Sequence, residues 1–153
     1  MTEAPFDVPR AHRWFAVEFN NEAWELVEKP NRTPNETQRM IHLAHAAALH
    51  WGVVGKPINF ERAECLLATV YAAADRLETA AMHVAYGLAL SENGVDDETP
   101  FDRAALLACA AMIFSRTPND AEGPRYAVLA QEAFAQLTDA EDREVVTRLY
   151  GVA

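Results

Sequence analysis

This chain has little of what loosens or cross-links a fold. Of its 153 residues, six are glycine and two are cysteine, while half are hydrophobic. That balance excludes a disordered chain and favours packed helix. The two cysteines, Cys65 and Cys109, form neither a CxxC pair nor a zinc-ligand spacing. No Lys, Arg or His flanks either one to lower its pKa. Both read as buried free thiols of a reducing compartment rather than as nucleophiles. Basic residues are also scarce, 13 against 23 acidic ones, for a formal charge of −10. A phosphate backbone is repelled by such a chain, so no nucleic-acid partner is expected. No apolar run is long enough to cross a bilayer, so no membrane partner is expected either. The start, MTEAPFDVPRAHRW, lacks a positive region followed by an apolar core, so no secretory signal is read and a cytoplasmic location is expected.

Catalytic signatures are absent as well. There is no GxSxG, no HEXXH, no Gly-rich dinucleotide turn and no pair of EXXH motifs. The glycines of Trp51–Asn59 (WGVVGKPIN) do not have phosphate-loop spacing, and no strand precedes them. That segment reads as a turn between helices. No cofactor is expected.

What is present is helix punctuation. Thr33-Pro34-Asn35-Glu36 supplies a capping hydroxyl, a Pro for the first turn and a carboxylate. Thr99-Pro100-Phe101-Asp102 repeats the arrangement. Thr138-Asp139-Ala140-Glu141 reads as a capping box, Asn59 as the cap of a helix from Phe60, and Asn93-Gly94 as a helix end. The implied helices span roughly 9–28, 34–51, 59–74, 77–92, 100–115, 122–137 and 139–150. No segment alternates with period two, so no sheet is predicted.

Glu61 to Asn93, ERAECLLATVYAAADRLETAAMHVAYGLALSEN, has the pattern of a tetratricopeptide-type helical hairpin. Leu67, Ala68 and Tyr71 fall where such a repeat has its Leu, its small residue and its Tyr, and Ala80, Val84 and Gly87 fall at the small contacts of the second helix. Small residues there let two backbones approach closely. The hairpin Phe101 to Leu137 keeps Ala108, Ala111 and Ala130, whereas Arg10 to Trp51 matches only by length and Trp14. Ser91–Pro100 breaks a strict period. The chain also resembles a group of small uncharacterised bacterial helical proteins, through FNNEAWELVEK, RTPNETQRMIHLAHAAALHWGVVGKPIN and RAECLLATVYAAADRLETAAMHVAYGLAL. The resemblance implies a tetratricopeptide-like middle hairpin and no particular activity. The expectation is one all-α domain, a right-handed stack of three antiparallel hairpins with a C-terminal capping helix. A compact non-repeat bundle is the alternative.

Two sets of site residues follow. In a tetratricopeptide-like stack the first helix of each pair lines the groove, and here that face offers Arg62, Cys65 and Thr69, then Ala72 and Ala73. Arg62 is the one cation among them, which suits a mostly neutral peptide groove better than a carboxylate clamp. The leading functional reading is a non-enzymatic scaffold for an unknown protein or peptide, or for another copy of itself. The second set is a histidine-rich face. His42, His45 and His50 lie on one broad side of the second helix, His45 about 60° and His50 about 80° to either side of His42. With Trp14, Asn21 and Trp24 of the first helix they form a candidate ligand site. His42, His45 and His83, aided by Glu18 or Glu64, form a candidate metal set. Trp14, Val17, Asn21 and Trp24 share one stripe, which is expected to be core, with Asn21 as a buried amide.

Overall fold

Seven α-helices make up the described part of the chain, and no strand occurs there. The structure is a computed structural model that describes residues 4–118 and 121–153. The helices are α1 (Val8–Glu28), α2 (Pro34–Val54), α3 (Pro57–Ala73), α4 (Leu77–Glu92), α5 (Pro100–Arg116), α6 (Glu122–Ala135) and α7 (Ala140–Tyr150). No helix is long and apolar enough to cross a membrane.

Local chemistry sets the boundaries. The Thr33 hydroxyl accepts from Glu36 N at 3.2 Å, and Glu36 Oε2 accepts from Thr33 N at 2.9 Å. A hydrogen bond from Lys29 and those from Thr33 hold the Glu36 carboxyl down at about 2. Thr99 and Asp102 form the same reciprocal cap on α5, at 3.2 and 3.0 Å. Two caps differ from the sequence reading. Helix α3 begins at Pro57, so Asn59 lies inside its first turn and Oδ1 reaches back to Lys56 N at 2.9 Å. Helix α7 is capped by Asp139, not Thr138, because Asp139 Oδ1 takes the amides of Glu141 and Asp142 at 2.8 and 3.1 Å. At Gly94 the chain leaves α4 with φ +83°, a conformation that suits glycine.

Packing is densest within the pairs α1/α2, α3/α4 and α5/α6. Neighbouring pairs join through α2/α3 and α4/α5, and also through α1/α3, α3/α5 and α5/α7. Odd-numbered helices therefore adjoin one another along the molecule. Small residues make the close contacts. Ala16, Ala23, Ala44, Ala68, Ala80, Ala104 and Ala108 are fully buried. A Cβ at Gly87 would stand 3.0 Å from Leu106 Cδ1, and one at Gly123 would stand 3.3 Å from the Ser115 backbone. One core cluster joins α3 to α7 around Leu106, Ile113 and Val146, and a second joins α1, α2 and α3 around Met40, Leu66 and Val70.

Arginines close several helix ends. Arg32 Nη1 donates to the carbonyls of Leu26 and Val27 at 2.8 and 2.7 Å, and its Nη2 reaches Ala73 O at 3.3 Å. Arg143 lies 4.1 Å above the Phe134 ring and donates to the carbonyls of Phe134 and Leu137. A guanidinium with several donors suits the orphan carbonyls of a helix C-terminus.

Candidate functional site

The odd-numbered helices line a groove with two cavities, and no residue of α2, α4 or α6 reaches either one. The larger cavity, about 410 Å³, is walled by Asn20, Trp24 and Glu28 of α1, Glu61, Arg62 and Cys65 of α3, and Phe101, Asp102 and Ala105 of α5. Val145, Arg148, Leu149 and Tyr150 of α7 complete it. The smaller, about 320 Å³, continues along α3 past Thr69, Ala72 and Ala73 to Met112 and Arg116 of α5. Glu28, Arg148 and Leu149 border both. Arg148 Nη2 meets Glu28 Oε1 at 3.2 Å, which ties the last helix to the first at that border. The groove residues named from the sequence thus lie along it in order, Arg62 and Cys65 at the larger cavity and Thr69 at the smaller.

Most polar groups of the groove are already engaged. Arg62 Nε and Nη2 donate to Asp102 Oδ1 and Oδ2 at 2.7 and 2.8 Å, a bidentate pair. Asp102 Oδ2 also takes the amide and hydroxyl of Thr99. Burial works to raise the Asp102 carboxyl, but the Arg62 and Thr99 hydrogen bonds outweigh it and hold the group below its usual value. The cap of α5 is therefore also the anchor that takes up the Arg62 charge. Deeper in, Thr69 Oγ1 donates to the Cys65 carbonyl at 2.8 Å. Its one proton is thereby spent, so the Tyr150 hydroxyl donates to Thr69 Oγ1 across 3.0 Å. Cys65 Sγ lies 3.6 Å from the Tyr150 oxygen, and Cys109 Sγ lies 3.5 Å from Thr69 Oγ1. Both thiols are free and buried. Hydrogen bonding to Cys65 and burial push the Cys109 thiol well up, and burial does the same to the Tyr150 hydroxyl.

Glu61 is the exception. It is 1 % exposed, it lines the larger cavity, and its Oε2 has no hydrogen-bond partner. Burial, with Glu98 and Asp102 nearby, pushes its carboxyl up to about 7, while Arg103 and Arg62 pull the other way. Glu61 is not among the residues that the sequence singles out, because a Glu beside Arg62 on a helix looks like ordinary solvated charge. The available signal is its helical register. Glu61 precedes Cys65 by four residues and Ala68 by seven, which places it on the packed face.

The histidine-rich face is divided. His42 is exposed, and its Nε2 accepts from the Gln38 amide at 3.0 Å. His45 Nε2 lies 2.8 Å from the Tyr71 hydroxyl. The Tyr71 ring stacks on His83 at 5.4 Å, and His83 Nδ1 donates to Glu64 Oε2 at 2.7 Å. Desolvation, then the nearby His83, lowers the His45 pKa. His50 is elsewhere, with its Nδ1 2.7 Å from His12 Nδ1 and its ring stacked on Phe15. One ring of that pair must offer a lone pair, so the bond is incompatible with both being protonated. Burial and His12 lower the His50 pKa.

Trp14, Asn21, Trp24, His42, His45 and His50 therefore do not converge on one cavity. Trp24 lines the groove, whereas Trp14 is 57 % exposed and Asn21 is also exposed, accepting from the Asn20 amide at 3.4 Å. Of the stripe read as core, Trp24 alone packs against the cluster around Met40, Leu66 and Val70, because the contact face of α1 is centred on Ala16 and Ala23. Neither Trp14 nor Val17, also exposed, is covered by another helix. The alternative metal set of His42, His45 and His83 is not assembled either. Among the described residues no group of three or more His, Cys, Asp or Glu is placed to hold a metal ion. Glu18 stands exposed on α1.

No family model, curated protein or solved structure matches this chain.

Proposed function

We propose that the chain is a non-enzymatic binding module, a tetratricopeptide-like right-handed stack of three hairpins ended by α7, whose groove takes a segment of a partner protein or peptide. One observation carries this reading: both cavities are lined by α1, α3, α5 and α7 alone. In a stack of helical hairpins the first helices of successive pairs form the recessed face, and recessed faces are the binding surfaces of such scaffolds. The α1/α3, α3/α5 and α5/α7 contacts support that stacking. Groove chemistry supports a binding role over a carboxylate clamp. Arg62 is taken up by Asp102 and Arg148 faces Glu28, so neither guanidinium is free to hold an anion.

Photo-crosslinking tests the reading. A benzophenone amino acid at Leu149, in the groove, should trap one defined partner, and the same group at exposed Val128 on α6 should not. Ala105→Trp, which fills the larger cavity, should abolish the crosslink. Trapping of a second copy of the chain at Leu149 would identify the partner as itself. Equal crosslinking from Val128, or crosslinking that survives Ala105→Trp, would contradict the reading.

A further inference from the structure

We propose that the larger cavity is an ammonium-binding subsite, in which the Glu61 carboxylate takes the charged head of a lysine side chain or alkylamine while Trp24, Phe101 and Leu149 flank its methylene stem. This deepens the groove reading and rests on it. A buried carboxylate oxygen without a partner is costly, and such groups in folded proteins are normally satisfied. Here the unsatisfied atom belongs to a residue that lines a cavity of about 410 Å³, a size within the range of small-ligand pockets.

The chemistry of the walls selects the ligand. The other carboxylates bordering the cavity already face cations, Asp102 with Arg62 and Glu28 with Arg148. Glu61 is what remains, so the unmet demand is for a donor, best a cationic one. The compact charge of an ammonium on a flexible alkyl stem suits a cavity of this size, whose walls include Trp24, Phe101 and Leu149. Aromatic and aliphatic walls suit an alkyl stem. The chain's net charge of −10 draws cations towards it.

Binding is linked to protonation. An ammonium pairs with the ionised carboxylate, and the Glu61 carboxyl is held up at about 7. The groups that face it are Arg62 of α3, Glu98 of the α4–α5 loop, and Asp102 and Arg103 of α5. Glu28 of α1 and Arg148 of α7 share its cavity and are paired with each other. Affinity for an amine should therefore rise from pH 6 to pH 8.

The experiment is an NMR titration of the whole chain with n-pentylammonium at pH 8, with 1-pentanol as the neutral analogue. Saturable shifts are expected at Asn20, Trp24, Ala105 and Val145, with the amine bound about tenfold tighter than the alcohol. Glu61→Gln should erase that preference and still bind pentanol, which shows the cavity intact in the variant. Pentanol and the amine binding alike in the native chain would overturn the ammonium proposal and leave the groove reading standing. Absence of amine binding at the cavity would overturn the proposal outright, and the crosslinking test above then decides the groove reading separately. The tripeptide acetyl-Gly-Lys-Gly-amide separates the sources. Tighter binding than pentylammonium assigns the subsite to a lysine of a partner chain, and binding of the free amine alone assigns it to a small amine.

Discussion

At the scale of single residues, Glu61 carries the most consequence. Its carboxyl moves from 4.5 to about 7 on folding, mainly through burial. A group raised in this way contributes stability that is fully present below its unfolded value and is lost as pH rises through the folded one. At about 1.4 kcal/mol per unit, the shift corresponds to roughly 3 kcal/mol lost by pH 8. Glu61→Gln keeps the shape of the protonated acid without the charge. The variant should be more stable than the native chain at pH 8 by up to about 3 kcal/mol, and the gap should close towards pH 5. Denaturant unfolding at the two pH values measures it, and a gap independent of pH would contradict the assignment. Register alone could have moved Glu61 from solvated charge to buried acid. The partners of Arg62 and Tyr150 could not have been read from the sequence, because Asp102 and Thr69 reach them from 40 and 81 residues away. The histidines mislead for a related reason. Periodicity places three of them on one face of α2, but His42 bonds within α2 while the partners of His45 and His50 come from α3 and α1.

At the scale of elements, the helix ends were the most legible feature. Thr33 and Thr99 each cap as their Pro and acid spacing implies, since a capping box is satisfied within four residues. The first turns of α3 and α7 were less legible: Asn59 acts from inside the turn, three residues after the cap position, and Asp139 displaces the neighbouring Thr138. The α1 stripe misleads because amphipathic spacing does not say whether another helix arrives to cover a face. Glycines show how tightly neighbouring elements approach. Gly52 lies in α2, where an added methyl group would meet nothing within 4 Å, and Gly123 opens α6 against the α5 backbone at 3.3 Å. Gly52→Ala should raise stability by about 0.5 kcal/mol through helix propensity. Gly123→Ala should lower it by about 1 kcal/mol, because backbone atoms have little room to retreat. Thermal unfolding of the pair checks both signs, and destabilisation of equal size in the two variants would contradict the packing described.

At the scale of the whole molecule, the arrangement of helices turns scattered residues into one surface. Asn20, Glu61, Asp102 and Tyr150 are far apart in the chain, and they meet only because α1, α3, α5 and α7 adjoin along one side. The Glu28–Arg148 pair joins the two ends of that series between the cavities. Both partners are close to half exposed, so the pair contributes little to stability. The middle hairpin foreshadowed an all-helical chain with a face on α3. It could not foreshadow the part played by α7, whose Leu149 and Tyr150 wall the groove from the far end of the sequence. What separates a binding groove from a packing seam is an unmet buried acid at the cavity wall, and carbon-detected NMR titration of the Glu61 side-chain carboxyl measures that directly. We predict a midpoint of about 7 in the free protein, displaced downward when pentylammonium is present. A midpoint in the ordinary carboxylate range, unmoved by the amine, would contradict the account.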